Sequence, residues 1–198
     1  MTEDQFKELL LAGDAKSFVT HQLFDDSCWL FNQPTLLSPE TTFAGVKANL
    51  ADLLNVSPRS FTVVGSGKYG WSMSPTKGVR PFDPENSDID IVIVSQPLFD
   101  TAWAALRAAY YAGYGKYKAM HAYHVFARAL VLDGAEHYQS QYLQELAQRL
   151  SDLNSIVGKS VRLKKSAKYR VYADWDDATK YHIHGVETMR KRIADGHA

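Results

Sequence analysis

Two aspartates, Asp88 and Asp90, bracket Ile89 at the mouth of the apolar run "IVIV". Side chains on a strand alternate between faces with period two, so both carboxylates point the same way. Paired carboxylates are oxygen ligands of the kind Mg²⁺ takes when it also touches substrate phosphates. Upstream, a second apolar run, "FTVV", ends in Gly65-Ser66. Glycine there allows a phosphate close to the backbone, and serine adds a hydroxyl to the amide N–H groups. Together the two features describe a phosphate cradle opposite a metal-binding acid pair, the equipment for in-line displacement at phosphorus.

The same glycines, Gly65, Gly67 and Gly70, also spell G-x-G-x-x-G, the spacing of a dinucleotide-binding turn. That fingerprint needs a helix directly after the glycines, so that its N-terminus receives the pyrophosphate. Here Pro75, Gly78, Pro81 and Pro84 follow, and they leave no room for a crossover helix. The acids also begin the next strand, where the dinucleotide site would have one at a strand's end. Nor does Lys68, directly after Gly67, fit the G-x-x-x-x-G-K-[ST] frame. The phosphate cradle is the reading that uses all of these residues.

"VVGSGKYGWSM" followed by "SDIDIVIV" resembles the signature of the DNA polymerase beta type nucleotidyltransferase superfamily. Bacterial stand-alone nucleotidyltransferase-domain proteins are the nearest likeness, and some of these resemble toxins or phage-defence components. The likeness covers residues 61–95, about a sixth of the chain, and continues more weakly over "KYRVYADWDDATKYHIHGVETMRKRI". It implies a small mixed sheet with helices packed on it, a Mg²⁺ (or Mn²⁺) cofactor and an NTP substrate. It further implies transfer of a nucleoside monophosphate to a hydroxyl on a protein, an RNA or another nucleotide. Carried onto this chain, it makes Gly65 and Ser66 the phosphate turn and Asp88 and Asp90 the catalytic metal ligands. Lys68 and Ser72 are further phosphate contacts. The family also places a third carboxylate on a later strand, where "KYRVYADW" carries Arg170 and no acid. Asp174, just past that strand, and Asp133, before Gly134, are the candidates. Helix capping and turn chemistry explain them equally well. Without a third acid the chain would use one metal, or serve as a nucleotide sensor or a scaffold subunit.

The elements that must hold these residues read as α+β. Phe6, Leu9 and Leu10 predict a helix over residues 3–12, and Phe43, Val46, Leu50, Leu53 and Leu54 predict one face of a helix that Ser38 caps and Pro39 begins. Strands are expected at 60–64 and 89–94, then a helix from Gln96 until Gly113 and Gly115. Residues 117–134 suit a helix or a helix-to-strand transition, and 134–154 a helix. One or two strands are expected within 159–175, and a closing helix at about 175–194. A single domain over residues 1–198, with its core at about 38–175, accommodates all of this. The proline-rich spacer before Asp88 reads as a surface loop, with a mobile flap as the other reading.

Acids and bases balance at 22 each, which argues against a sequence-independent duplex binder with a basic face. A local basic ribbon remains, from Lys159 through Arg162, Lys164, Lys165 and Lys168 to Arg170. It suits a triphosphate or an RNA end, or equally a solvated edge strand guarded by lysines. His182 and His184 do not share a helix face and read as ordinary histidines, not a metal site. The single cysteine, Cys28, allows no internal disulfide and fits a reducing cytoplasm. No segment has the roughly 20 apolar residues of a membrane span, and "MTEDQFKELLLAG" lacks a signal peptide's basic start. A protein partner is compatible with all of these features.

Overall fold

The computed structural model describes residues 1–132 and 138–197. In chain order it contains α1 (Glu3–Leu11), α2 (Ala15–Phe18), α3 (Phe43–Leu54), β1 (Phe61–Val64), α4 (Ser66–Tyr69) and β2 (Asp90–Val94). There follow α5 (Gln96–Tyr111), α6 (Lys116–Phe126), β3 (Ala129–Leu130), α7 (Gln141–Ser160), β4 (Lys168–Tyr172) and α8 (Trp175–Ala194). The fold is mixed α+β, with a helical C-terminal region. The four strands among the described residues form one sheet in the order β1-β2-β4-β3. β1 and β3 run antiparallel to their neighbours, and the central pair β2 and β4 is parallel.

Strand alternation divides the sheet into two differently used faces. Phe61, Val63, Ile91, Ile93 and Val171 point into the larger core, where α3, α5 and α7 pack. Val64, Val92 and Tyr172 point the other way, under α1, α2 and α8. Asp90 shares this second face, two residues before Val92, at the end of the sheet that those helices leave open. The larger face is wholly apolar; the second is apolar only toward one end.

Most expected elements appear, with shifted ends that have identifiable causes. Thr2 opens α1 through a complete capping box with Gln5. α3 begins at Phe43, not at Pro39, because Thr42 caps it by accepting from the Gly45 N–H. The Ser38 hydroxyl instead donates to the Lys159 carbonyl at 2.6 Å. Helix-to-strand is the outcome between α6 and β3. The helix expected from residue 134 starts at Gln141 and runs on to Ser160, taking Lys159 into its last turn; Tyr138 lies ahead of it, fully buried. One strand forms within the basic ribbon, and it is no edge: β4 lies between β2 and β3. Its cations therefore do not guard an open edge. No helix among the described residues is long and apolar enough to cross a membrane.

Candidate functional site

The antiparallel register of β1 with β2 sets Val64 against Asp90, so the residue after Val64 turns directly past the acid. That residue is Gly65, at φ 67° and ψ −145°, a conformation nearly exclusive to glycine. A Cβ there would stand 3.1 Å from Asp90 Oδ2. The turn continues into α4, which Gly70 ends at φ 80°, where a Cβ would meet the Trp29 ring at 2.8 Å. From behind, the Trp29 N–H donates to the Lys68 carbonyl at 2.9 Å, and the Cys28 thiol donates to the Gly67 carbonyl at 3.3 Å. Burial pushes the Cys28 thiol up to about 11, so it stays protonated as a clamp on the turn.

The parallel register of β2 with β4 sets Asp90 beside Lys168 and Val92 beside Arg170. Lys168 and Arg170 thus share the face of Asp90. Each acid takes one of these cations: Lys168 Nζ lies 2.5 Å from Asp88 Oδ2, and Arg170 donates from Nη1 to Asp90 Oδ1 at 2.8 Å. Burial pushes the Asp88 carboxyl up, but the Lys168 ammonium more than reverses this and holds it below the usual carboxylate range. Burial pushes Arg170 down, but the charge and hydrogen bond of Asp90, with Tyr181 and Tyr172, together raise it above its usual value. It also sits over the Tyr181 ring, 5.9 Å from its centre.

These groups line a cleft of about 480 Å³, within the usual range for small-molecule sites. Gly65, Ser66, Ser72, Asp88 and Asp90 all face it. The spacer expected as a loop forms one wall. It is clasped on itself, with the Ser72 N–H donating to the Arg80 carbonyl and the Phe82 N–H to the Gly70 carbonyl, both at 2.8 Å. It adds Lys77 and Arg80, while Tyr123, Tyr181, His182 and Thr188 line the far side. The His182 Nε2 is shut from solvent with no hydrogen-bond partner. Burial first, and then the charge of Arg170, lowers its pKa to about 3, so the imidazole is neutral at physiological pH.

Lys68 does not join this cleft, contrary to its expected role as a phosphate contact. Its ammonium is buried on the other side of α4, where the Asp25 carboxylate and the carbonyls of Asp25 and Ser27 accept from it. Asp174 also stays out. It caps α8, accepting from the Asp177 N–H at 2.8 Å. Asp133 lies outside the described residues. The Ser72 hydroxyl is at the cleft, where it accepts from the Ser74 N–H. Sequence reasoning missed Lys77, Arg80 and Tyr181 as cleft residues, and it read Arg170 as part of a basic ribbon and as the place of a missing acid, not as the partner of Asp90. The available signal was the matched alternation of Asp88-x-Asp90 and Lys168-x-Arg170.

Among the described residues no group of three or more His, Cys, Asp or Glu side chains is placed to hold a metal ion. Asp88 and Asp90 each retain one carboxylate oxygen outside their ion pairs. That donor set fits one hard cation completed by phosphate and water oxygens; it does not fit two. Comparison with protein-family models, with curated proteins and with solved structures finds no match to the chain.

Proposed function

We propose that the cleft binds a nucleoside triphosphate and that the chain is a nucleotidyltransferase. It moves a nucleoside monophosphate to a hydroxyl on a protein, an RNA or another nucleotide. The observation that carries this reading is the meeting of the Gly65-Ser66 turn with Asp90 at one end of a cleft ringed by cations. Gly65 leaves room for phosphate oxygens beside the backbone, and the Ser66 hydroxyl donates to them. Lys77 and Arg80 offset the charge of the triphosphate tail. Tyr181 and Tyr123 offer ring faces to the base. Asp88 and Asp90 would hold a single Mg²⁺ or Mn²⁺ through their unpaired oxygens. That ion supplies Lewis-acid polarisation of the phosphate and lowers the pKa of a bound hydroxyl. In the transfer, the acceptor oxygen bonds to the α-phosphorus as the bond to the bridging α–β oxygen breaks. Pyrophosphate leaves, and the hydroxyl proton passes to water.

A second reading, a nucleotide sensor or scaffold subunit that does not turn substrate over, is favoured by one observation. Both acids are already ion-paired, and the neighbouring strand offers cations where a third acid is expected. Incubation with Mg²⁺ or Mn²⁺ and each α-labelled NTP, with RNA and protein acceptors, separates the two. The enzyme reading expects label transfer that Asp88→Ala with Asp90→Ala abolishes. Nucleotide binding with no pyrophosphate release under any condition selects the sensor.

A further inference from the structure

Resting on the nucleotide-cleft reading, we propose that Arg170 stands in for a second metal ion, so that the cleft takes one divalent cation per nucleotide. Three observations carry this. First, the strand beside the acid pair presents its side chains to the same face in register, Asp90 against Lys168 and then Arg170 two residues on. No carboxylate from this strand can reach the site, because its two residues on this side of the cleft are both cations. Second, the two cations differ in mobility. The Lys168 side chain is 60% exposed, whereas Arg170 is only a quarter exposed. Arg170 is pinned by Asp90 on one side and the Tyr181 ring on the other. A guanidinium does not deprotonate, so its charge is permanent. Third, that charge occupies Asp90 Oδ1, so that this carboxylate keeps only Oδ2 for a cation. A lysine on a flexible stem can withdraw to admit one cation against Asp88; the arginine cannot withdraw to admit another. Only one of the five guanidinium N–H donors goes to Asp90. The others are available to an oxygen of the bound phosphate, as charge-assisted donors that need no metal.

The test counts metal ions. The protein is titrated with Mn²⁺ in the presence of each of the four α,β-methylene nucleoside triphosphates, and bound Mn²⁺ is read by electron paramagnetic resonance. One Mn²⁺ per bound nucleotide is expected for the wild-type chain, and two for Arg170→Asp. In EDTA, Arg170→Gln is expected to weaken nucleotide binding at least tenfold relative to wild type. Two Mn²⁺ per nucleotide in the wild-type chain overturns the inference and leaves the nucleotide reading intact. So does an Arg170→Gln variant with unchanged metal count and unchanged affinity in EDTA, which would make the arginine a structural partner only. Should Arg170→Asp fail to fold, the wild-type count and the glutamine variant still decide. If no analogue binds the wild-type chain with or without metal, the nucleotide reading itself falls, and this inference with it.

Discussion

Lys68 and Arg170 are both cations set against an aspartate, one on each side of the Gly65-Ser66 turn, yet they are finished to different degrees. Lys68 is 1% exposed in its side chain and spends all three of its protons, on the Asp25 carboxylate and the carbonyls of Asp25 and Ser27. Arg170 spends one donor on Asp90 and borders open space. A cation whose donors are all satisfied inside the protein has nothing left for a ligand, and its work is structural. One held by a single acid at a cleft wall keeps donors in reserve. The difference separates fold from function more sharply than charge or sequence position does.

The largest break in that comparison is expected at the sealed pair. Lys68→Met takes the donor from the Asp25 carboxylate and from the carbonyls of Asp25 and Ser27, and is expected to cost about 3 kcal/mol of stability. Urea denaturation measures this, while nucleotide affinity per folded molecule stays unchanged. A loss of affinity without a loss of stability would put Lys68 back in the site.

An intermediate effect is expected beside Arg170. His182 has a folded pKa of about 3 against an ordinary value near 6.5. It therefore binds a proton on unfolding at any pH between the two. Its contribution to stability is full above about pH 6.5 and is lost as pH falls toward 3, at up to about 1.4 kcal/mol per pH unit. His182→Phe, compared with wild type by denaturation at pH 7, 6, 5 and 4, is expected to flatten that decline. Parallel curves would show that His182 is not held neutral.

The smallest effect belongs to the exposed cation of the cleft. Lys168→Ala is expected to change stability by less than about 0.5 kcal/mol. It should raise the Asp88 pKa toward the ordinary carboxylate range, which carboxyl carbon chemical shifts would follow. An unmoved Asp88 would mean that the pair does not persist in solution.

What the sequence made legible follows the range of each signal. β2 was readable because its acids and β-branched residues are contiguous, and Gly65 because its turn is local. Asp174 was open to two readings, third carboxylate or helix cap, and the structure shows the cap. Lys68 misled because its partner lies 43 residues upstream, while the glycines beside it are what the eye meets. Ser38 misled as a helix cap because its hydroxyl is claimed by Lys159, 121 residues away. Arg170 was visible as a residue but not as a wall of the cleft. Its meaning depends on which strand lies beside β2, and alternation within one strand carries no information about its neighbour.

The order of strands also sets the order in which the protein can assemble. Among the described residues β4 is the last strand but lies in the middle of the sheet, and β3 pairs with no other strand. β1 and β2 can close first, over the 25 residues between them; β3 must wait for a segment that follows it by nearly forty residues. The entropy of closing those loops falls before the pairing that rewards it. Asp90 and Arg170, 80 residues apart, meet only at that final step. A chain still emerging from the ribosome thus carries its acid pair bare, and the cleft comes into being with the insertion of one five-residue strand.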